Sequence, residues 1–199
     1  MQSFNFQAIG TDWQIDFYDT IEPSRLKVIK KEIAERITIF RNNYSRFLSH
    51  SWVSSISKNP GTYAYPQDLN KLYDIYKKLN KLSDGLFTPL IGKVMEDAGY
   101  DMNYTLTAGK LTSPPELKKT VQLNKNKITL REKVLLDFGA AGKGYLVDII
   151  GDLFEKASIP SYCIDAGGDI LHKNDKSTHS VSWTAYLVTR ICSTKPNAT

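Results

Sequence analysis

The sequence predicts an α/β (α+β) fold in which helices flank a mixed β-sheet. Three observations carry this prediction: alternating apolar and polar residues near the N-terminus, two long stretches with apolar residues at helical spacing, and a late apolar segment that ends in two glycines. Strand and helix signals alternate along the chain, without an internal repeat or a low-complexity tract. A chain of 199 residues can bury a sizeable core. We expect one domain over residues 1–171, followed by an atypical tail over residues 172–199.

The first half of the chain predicts two strands and two helices. Residues 4–9 and 13–18 are the predicted strands, because apolar and polar residues alternate in the second of them. A helix begins near Pro23, since proline is favoured in the first turn of a helix. A second helix covers residues 68–83 and ends at Gly85. The apolar face of the first helix consists of Leu26, Ile29, Ile33, Ile37 and Phe40.

The second half of the chain predicts a long loop, three strands and one helix. Residues 102–127 are polar and contain Pro114-Pro115, which favours a loop with short extended pieces. Strands are predicted over residues 127–130, 134–137 and 161–165. The helix that follows the second of these strands has an apolar face made by Val147, Ile150 and Phe154.

Composition and charge exclude several classes of protein. The net charge is +5, but the basic residues are dispersed, so we expect no nucleic-acid partner and at most a mild attraction to phosphorylated ligands. Cys163 and Cys192 define neither a disulfide framework nor a redox motif. The three histidines form no ligand constellation. No segment has the pattern of a membrane span or a secretion signal, and we therefore expect a cytoplasmic protein.

The most informative segment covers residues 134–148. It leads from a short apolar stretch into Asp137, through a turn with three glycines and Lys143, and then into a helix. Glycines let a ligand approach the main chain closely, and the free N–H groups of a helix N-terminus favour anions. Asp137 and Lys143 would then flank a phosphate pocket. An ordinary strand–turn–helix corner, with Asp137 capping the helix and Lys143 in solvent, explains the segment equally well.

This turn matches neither of the common nucleotide-binding fingerprints. Its glycines read G-x-x-G-x-G, which reverses the order of the dinucleotide pattern. The Walker pattern would need glycine in place of Asp137, and serine or threonine in place of Gly144. If the turn binds a nucleotide, it does so as a turn of another kind.

Four shorter motifs carry weaker signals. Gly10-Thr11 is by default a turn, residues 44–47 are typical of core aromatics at a helix end, and residues 85–89 are typical of a helix stop. Residues 165–169 favour a functional role, because they combine two carboxylates with two glycines at a strand end. Strand ends of α/β sheets are where ligands bind.

Taken in order and at their spacings, these motifs resemble one family, the ApbE-type FAD:protein FMN transferases. The resemblance covers roughly residues 4–171 and is most specific in the lysine-glycine turn. It implies a flavin-transferase fold that is incomplete at the C-terminus. The matching pieces are Ala8-Ile9-Gly10-Thr11, Tyr44-Ser45-Arg46-Phe47 with Ser51, Gly85-Leu86-Phe87-Thr88-Pro89 with Gly99-Tyr100-Asp101, residues 136–148 and residues 165–170.

The resemblance implies a reaction, a substrate and a partner. Members of this family use Mg²⁺ to split the pyrophosphate of FAD, release AMP, and attach FMN through a phosphoester to a serine or threonine of a target flavoprotein. A basic residue and helix N–H groups are suited to holding a pyrophosphate, and a divalent cation offsets its charge.

The resemblance also implies binding roles for individual residues, but it assigns no catalytic residue. Ile9 stands where the family contacts the flavin, and Phe47 stands where an aromatic ring stacks near the isoalloxazine. Asp137 and Lys143 match FAD-contacting positions in the turn. Ala140 matches the position whose backbone carbonyl binds the metal. A stretch that lines the FAD pocket is matched by Phe87, Thr88 and Pro89.

The end of the chain departs from the family pattern. Family members are usually longer, with further strands and a late motif resembling D-A-x-x-T that completes the metal site. Residues 172–199 contain no such motif, although residues 183–188 fit a strand. We expect a truncated or frame-altered tail, poor solubility from an exposed sheet edge or apolar face, and little FMN transfer by this polypeptide.

Two functions from different classes therefore remain open at the sequence level. The first is Mg²⁺-dependent transfer of FMN from FAD to a protein hydroxyl. The second is a non-catalytic FAD-binding fragment that lacks the late metal motif. A flavin or nicotinamide oxidoreductase is a third and weaker hypothesis, because the glycine-rich turn does not match the dinucleotide-binding fingerprint.

Overall fold

The computed structural model describes residues 1–174 of the chain. The seven strands in this range are β1 (Gln2–Ala8), β2 (Thr11–Phe17), β3 (Gly61–Ala64), β4 (Val121–Asn124), β5 (Lys127–Leu130), β6 (Ser161–Ala166) and β7 (Asp169–Asn174). The six α-helices in this range are α1 (Pro23–Tyr44), α2 (Trp52–Ile56), α3 (Leu69–Leu82), α4 (Gly92–Asp97), α5 (Leu117–Thr120) and α6 (Gly139–Lys156), and a 3₁₀ turn covers Pro89–Ile91.

The chain divides into two compact units. We call Met1–Ile39 together with the described residues from Ala141 onward the terminal unit, and Phe40–Ala140 the central unit. Helices α1 and α6 each contribute residues to both units. The expectation of a single domain over residues 1–171 stays a prediction.

The terminal unit contains a four-stranded antiparallel sheet with strand order β1-β2-β6-β7. Its apolar face is buried because side chains alternate along each strand, as the 13–18 pattern predicts. Trp13, Ile15 and Phe17 are at most 1% exposed, and burying each such side chain stabilises the fold by about 1.5–3 kcal/mol. Phe154 of α6 contacts Phe17 edge-to-face, with ring centroids 5.2 Å apart. The core of this unit thus lies between this sheet face and helical residues of α6.

Two tight turns close the hairpins at one end of this sheet. Ile9 and Gly10 have φ angles of 41° and 81°, and Gly167 and Gly168 have φ angles of 64° and 98°. Two consecutive residues with positive φ form the hairpin turn whose twist matches that of the flanking strands. A Cβ on Gly167 would lie 2.8 Å from the Cβ of Thr11. The second turn therefore packs directly against the residue after the first.

The central unit contains a three-stranded antiparallel sheet with strand order β3-β5-β4. Ile128 in the middle strand is fully buried and pairs with residues of both neighbouring strands. Helix α3 buries Leu69, Leu72 and Tyr76 on one stripe, and the Tyr76 ring lies 5.3 Å from that of Phe138. Phe138 precedes α6, so the apolar core of this unit fixes where the glycine-rich turn begins.

The predicted fold class is confirmed. Helices and strands are interspersed along the described chain, and helices connect strands of both sheets. The predicted strand over residues 134–137 is wrong. The backbone N–H of Leu136 donates to the Ser57 hydroxyl, and that of Asp137 donates to the Pro89 carbonyl, so neither joins a strand ladder. The last described strand, β7, runs through residues 169–174 and so includes the first three residues of the predicted tail, whose atypical character stays a prediction. Residues 183–188 lie outside the described range.

None of the helices in residues 1–174 has the length and apolarity needed to cross a membrane.

Candidate functional site

Arg46 is the only charged residue in the buried core of residues 1–174, with 4% of its surface exposed. Its Nε donates to the Asp137 carboxylate at 2.6 Å, and its Nη2 donates to the Tyr100 carbonyl at 2.7 Å. A buried charge requires such partners, because leaving it unpaired would cost several kcal/mol, on the order of 3–5. Arg46 thereby joins three segments of the central unit that are distant in sequence.

Asp137 uses both carboxylate oxygens inside the central unit. Oδ2 binds Arg46, and Oδ1 accepts the N–H of Gly139, the first residue of α6, at 2.7 Å. The second contact is a capping interaction, since it satisfies an N–H that the helix cannot satisfy itself. The capping role considered for Asp137 in an ordinary corner is therefore present, together with an ion pair that such a corner does not require.

An aromatic cluster surrounds the Arg46 guanidinium. The guanidinium carbon lies 4.2 Å from the Phe47 ring centroid and 5.0 Å from that of Tyr100. The rings of Phe47 and Tyr104 are stacked, with centroids 5.3 Å apart and planes inclined by 6°. Burial raises the pKa of Tyr100, and the neighbouring Tyr104 hydroxyl adds to this effect. Phe47 is half-buried, and its ring packs against both Arg46 and Tyr104.

Asp101 organises the loop that carries Tyr100 and Tyr104. Its carboxylate accepts the Thr105 hydroxyl at 2.7 Å and the backbone N–H groups of Asn103 and Thr105. These hydrogen bonds lower the pKa of Asp101, with the Thr105 hydroxyl as the largest cause. Tyr104 has a φ of 50°, a conformation uncommon for a residue with a side chain. The loop is thus held in a defined shape by one carboxylate.

The stretch Phe87-Thr88-Pro89 is fixed by local hydrogen bonds. The Asn80 amide donates to the Phe87 carbonyl at 2.9 Å, and the Thr88 hydroxyl caps the following turn by accepting the N–H of Leu90. The Pro89 carbonyl accepts the Asp137 N–H at 2.8 Å. Thr88 and Pro89 are buried and Phe87 is half-buried. The structure therefore places this stretch beside the start of the glycine-rich turn, and its role in an FAD pocket stays a prediction.

Lys143 lies in the terminal unit, in the first turns of α6. Its Nζ is 3.1 Å from the Asp169 carboxylate and 3.4 Å from the Ala166 carbonyl. The side chain is 31% exposed, so it is neither buried nor fully in solvent. The pairing with Asp169 joins the first turns of α6 to the hairpin turn, and the functional role of residues 165–169 stays a prediction.

The terminal unit also holds an open groove of about 560 Å³ on the solvent face of its sheet. Neither Ile9 nor Lys143, the two predicted site residues of this unit, lines it. Ile9 instead occupies the hairpin turn and is half-buried. The groove is lined by Asn5, Phe6, Gln7, Asp12, Trp13, Gln14, Asp165 and Gly167.

The predicted site residues are distributed over both units. Ile9 and Lys143 belong to the terminal unit and the other six to the central unit, where a hydrogen bond joins Pro89 to Asp137. Arg46 and Tyr104 are not predicted from the sequence as site residues. Residues 44–47 are typical of core aromatics at a helix end, and Arg46 lies within that motif. An arginine set between Tyr44 and Phe47, in a motif that otherwise looks like core, was the available signal.

A magnesium site is not complete in the described residues. They contain no group of three or more histidine, cysteine, aspartate or glutamate side chains placed to hold a metal ion. Ala140, the second residue of α6, is exposed and contributes a backbone carbonyl alone. Mg²⁺ prefers six oxygen ligands in a nearly octahedral arrangement. The described protein groups therefore do not fit a self-sufficient metal site.

Comparison with known proteins identifies the class. The fold is that of flavin transferases: three solved structures share it, at low sequence identity. The Vibrio cholerae flavin transferase ApbE is 17% identical with a TM-score of 0.72. The Pseudomonas stutzeri flavinyl transferase ApbE, in its apo form, is 17% identical with a TM-score of 0.75. The ApbE protein of Thermotoga maritima is 21% identical with a TM-score of 0.66.

The chain belongs to the ApbE family, whose profile matches residues 9–189. The three structures are covered over 59%, 62% and 57% of their own lengths, while 86%, 88% and 85% of this chain is matched. The chain therefore spans less than two thirds of each of these relatives. A search of curated proteins finds no match.

Proposed function

We propose that this chain acts in FAD:protein FMN transfer, attaching the FMN moiety of FAD to a serine or threonine hydroxyl of a target flavoprotein and releasing AMP. The observation that carries the proposal is the family match over residues 9–189. In this reaction the acceptor hydroxyl oxygen forms a bond to the FMN phosphorus. The bond from that phosphorus to the bridging oxygen breaks, AMP leaves with this oxygen, and the hydroxyl proton is lost to a base or to water.

The proposed roles of the chain follow from the chemistry of FAD. In the central unit, Phe47 offers a ring face for stacking the isoalloxazine, and Phe87, Thr88 and Pro89 line the pocket. In the terminal unit, Lys143 offsets charge on the pyrophosphate, and Ile9 contacts the flavin. Asp137 is assigned to the FAD site through the turn that it caps. Charge neutralisation at a transferring phosphoryl group is the main contribution that a protein makes to such reactions.

We include Mg²⁺ in the proposal because the family resemblance implies it, although the described residues do not form a complete site for it. The cation would supply charge stabilisation to the phosphoryl group, and the Ala140 carbonyl is the candidate protein ligand in the described range. The described residues alone offer too few ligands to hold the cation.

The test is a transfer assay with a mass readout. The 199-residue chain is mixed with FAD, Mg²⁺ and a flavoprotein known to accept FMN, and the acceptor is examined for the covalent FMN mass increment. We expect little or no labelling by this chain, and Mg²⁺-dependent labelling accompanied by AMP release from a version that carries the C-terminal part of a longer relative. An acceptor with its hydroxyl residue changed to alanine is the matched control and must stay unlabelled.

The same assay separates the enzyme from the FAD-binding fragment. Tight FAD binding without labelling of the acceptor would identify this polypeptide as a binding fragment. A version extended with the C-terminal part of a longer relative should then label the acceptor. Failure of the extended version, despite proper folding and FAD binding, would count against the transferase proposal itself.

A further inference from the structure

The buried ion pair between Arg46 and Asp137 carries an inference that rests on the proposed function and extends it to a residue without an assigned role. Two side chains that are 2% and 15% exposed meet at 2.6 Å in the central unit. Ion pairs this deeply buried are weak devices for stability, because apolar side chains of the same volume often stabilise a core equally well. The location of the pair is therefore more informative than its energy.

The pair lies at the start of the glycine-rich turn. Asp137 presents Oδ1 to the N–H of Gly139 and Oδ2 to Arg46. A carboxylate at this point stabilises the helix start but would repel an anionic ligand that approaches the N–H groups of the same turn. Arg46 removes this conflict, because its charge offsets that of Asp137 while the capping hydrogen bond is retained.

Arg46 also fixes the position of the Tyr100 segment. Its Nη2 donates to the Tyr100 carbonyl, and its guanidinium packs against the rings of Phe47 and Tyr100. The fixed planar geometry of a guanidinium allows these contacts at the same time, and an ammonium group does not reproduce them. One side chain thus sets the charge of the turn and the placement of the aromatic cluster.

We propose that Arg46 is a positioning residue for FAD binding: it neutralises Asp137 at the glycine-rich turn and anchors the Tyr100–Tyr104 loop, without contacting the reacting atoms. Removing Arg46 alone leaves an uncompensated carboxylate in the turn, whereas removing both charges does not. A purely structural pair would show this difference only in thermal stability, whereas a positioning role also changes the FAD affinity of variants that remain folded.

The experiment uses Arg46→Met, Asp137→Asn and the double variant, with Arg41→Met as the matched control. Arg41 is exposed in the last turn of α1. FAD affinity is measured by flavin fluorescence on variants whose thermal melts show that they are folded. We expect Arg46→Met to weaken FAD binding about tenfold or more, because truncating one partner of a buried pair leaves the other charge unpaired. The double variant should bind FAD more tightly than Arg46→Met but less tightly than Asp137→Asn, because it still lacks the anchor on the Tyr100 carbonyl, and Arg41→Met should match the wild type.

Two results would overturn the inference while the proposed function stands. One is wild-type FAD affinity in Arg46→Met, and the other is a double variant that binds no better than Arg46→Met. Hydrogen exchange of the ligand-free variants supplies a second measurement, in which Arg46→Met should speed exchange over residues 99–105 and 137–140 but not over α3. Unchanged exchange in both segments would also refute the anchor. A wild-type chain that binds no FAD would instead refute the proposed function.

Discussion

At the scale of single residues, the charged side chains of the candidate site form ion pairs. Arg46 is neutralised by Asp137 within the central unit, and Lys143 is paired with Asp169 within the terminal unit. The two pairs differ in burial, since the side chains of the second are about one third exposed. A buried pair is fixed, whereas a half-exposed pair is screened by solvent and exchanges partners at low cost. Lys143 is therefore free to change its partner for a phosphate.

The first prediction concerns Lys143. Losing a charge-assisted contact costs about 1.5–3 kcal/mol, so Lys143→Ala should weaken FAD binding about tenfold or more in a fluorescence titration. Lys173→Ala is the matched control, because Lys173 also pairs with a carboxylate, at 3.3 Å, and has similar exposure. The control should keep wild-type affinity. An unchanged affinity in Lys143→Ala would remove this lysine from the site.

The second prediction concerns the pH dependence of the loop around Asp101. The folded pKa of Asp101 is lowered from the ordinary value of 3.8, mainly by the Thr105 hydroxyl. A carboxyl with a depressed pKa adds stability above its unfolded pKa and loses it as the pH falls through the folded pKa. Protection from hydrogen exchange over residues 101–106, measured relative to the intrinsic rate at each pH, should therefore be present at neutral pH and be lost only below about pH 3.8. In Asp101→Ala this protection should be absent at every pH, and a loop that stays protected there would contradict the assignment.

At the scale of elements, how much the sequence predicts depends on how far apart the interacting residues lie. The strands β1, β2 and β6 and the helices α1, α3 and α6 follow from periodicity, because each carries an apolar stripe long enough to be seen locally. Of the three four-residue strands, β5 is predicted from the sequence over residues 127–130, whereas β3 and β4 are not. Residues 134–137 have the composition of a strand, but their partners are a serine hydroxyl and a proline carbonyl.

The same limit applies to the candidate site. The glycine-rich turn and Lys143 are visible as a local motif, and so is the Gly-Gly-Asp segment that contains the partner of Lys143. Arg46 and Asp137 are 91 residues apart, and no local pattern links them. A buried pair of this kind becomes predictable only when the packing of separate segments is known.

The third prediction tests the hairpin turn at Gly167 against a glycine inside α6. Gly167 has a φ of 64°, and an added Cβ would lie 2.8 Å from Thr11. Gly167→Ala should therefore destabilise the fold by about 1–3 kcal/mol. An added Cβ on Gly144 meets no atom within 4 Å, so Gly144→Ala should stabilise α6 by about 0.5–1 kcal/mol. Urea unfolding measures both, and equal effects would contradict the turn assignment.

At the scale of the whole molecule, the proposed FAD-binding residues fall into two sets that differ in chemistry. The central unit holds the aromatic rings and the pocket stretch, which suit a flat and largely apolar flavin ring. The terminal unit holds Lys143, which suits a phosphate. The net charge of +5 belongs to the whole chain and acts over longer distances than either set. These contributions can be separated, since the ring and the phosphates of FAD can be offered separately.

The last prediction distinguishes the contributions of the flavin ring and of the phosphates by varying the salt concentration. The diphosphate of FAD carries about two negative charges, and a chain with a net charge of +5 attracts it at low ionic strength. Raising NaCl from about 0.05 M to about 0.5 M shortens the screening length severalfold and should weaken FAD binding about threefold or more. Riboflavin, which carries the same ring without phosphate, is the control, and its weaker binding should be nearly independent of salt. In Lys143→Ala the salt dependence of FAD binding should become shallower, because this variant lacks one of the positive charges that attract the phosphates. Salt-independent FAD binding by the wild type would show that neither Lys143 nor the net charge contributes to recognition of the pyrophosphate.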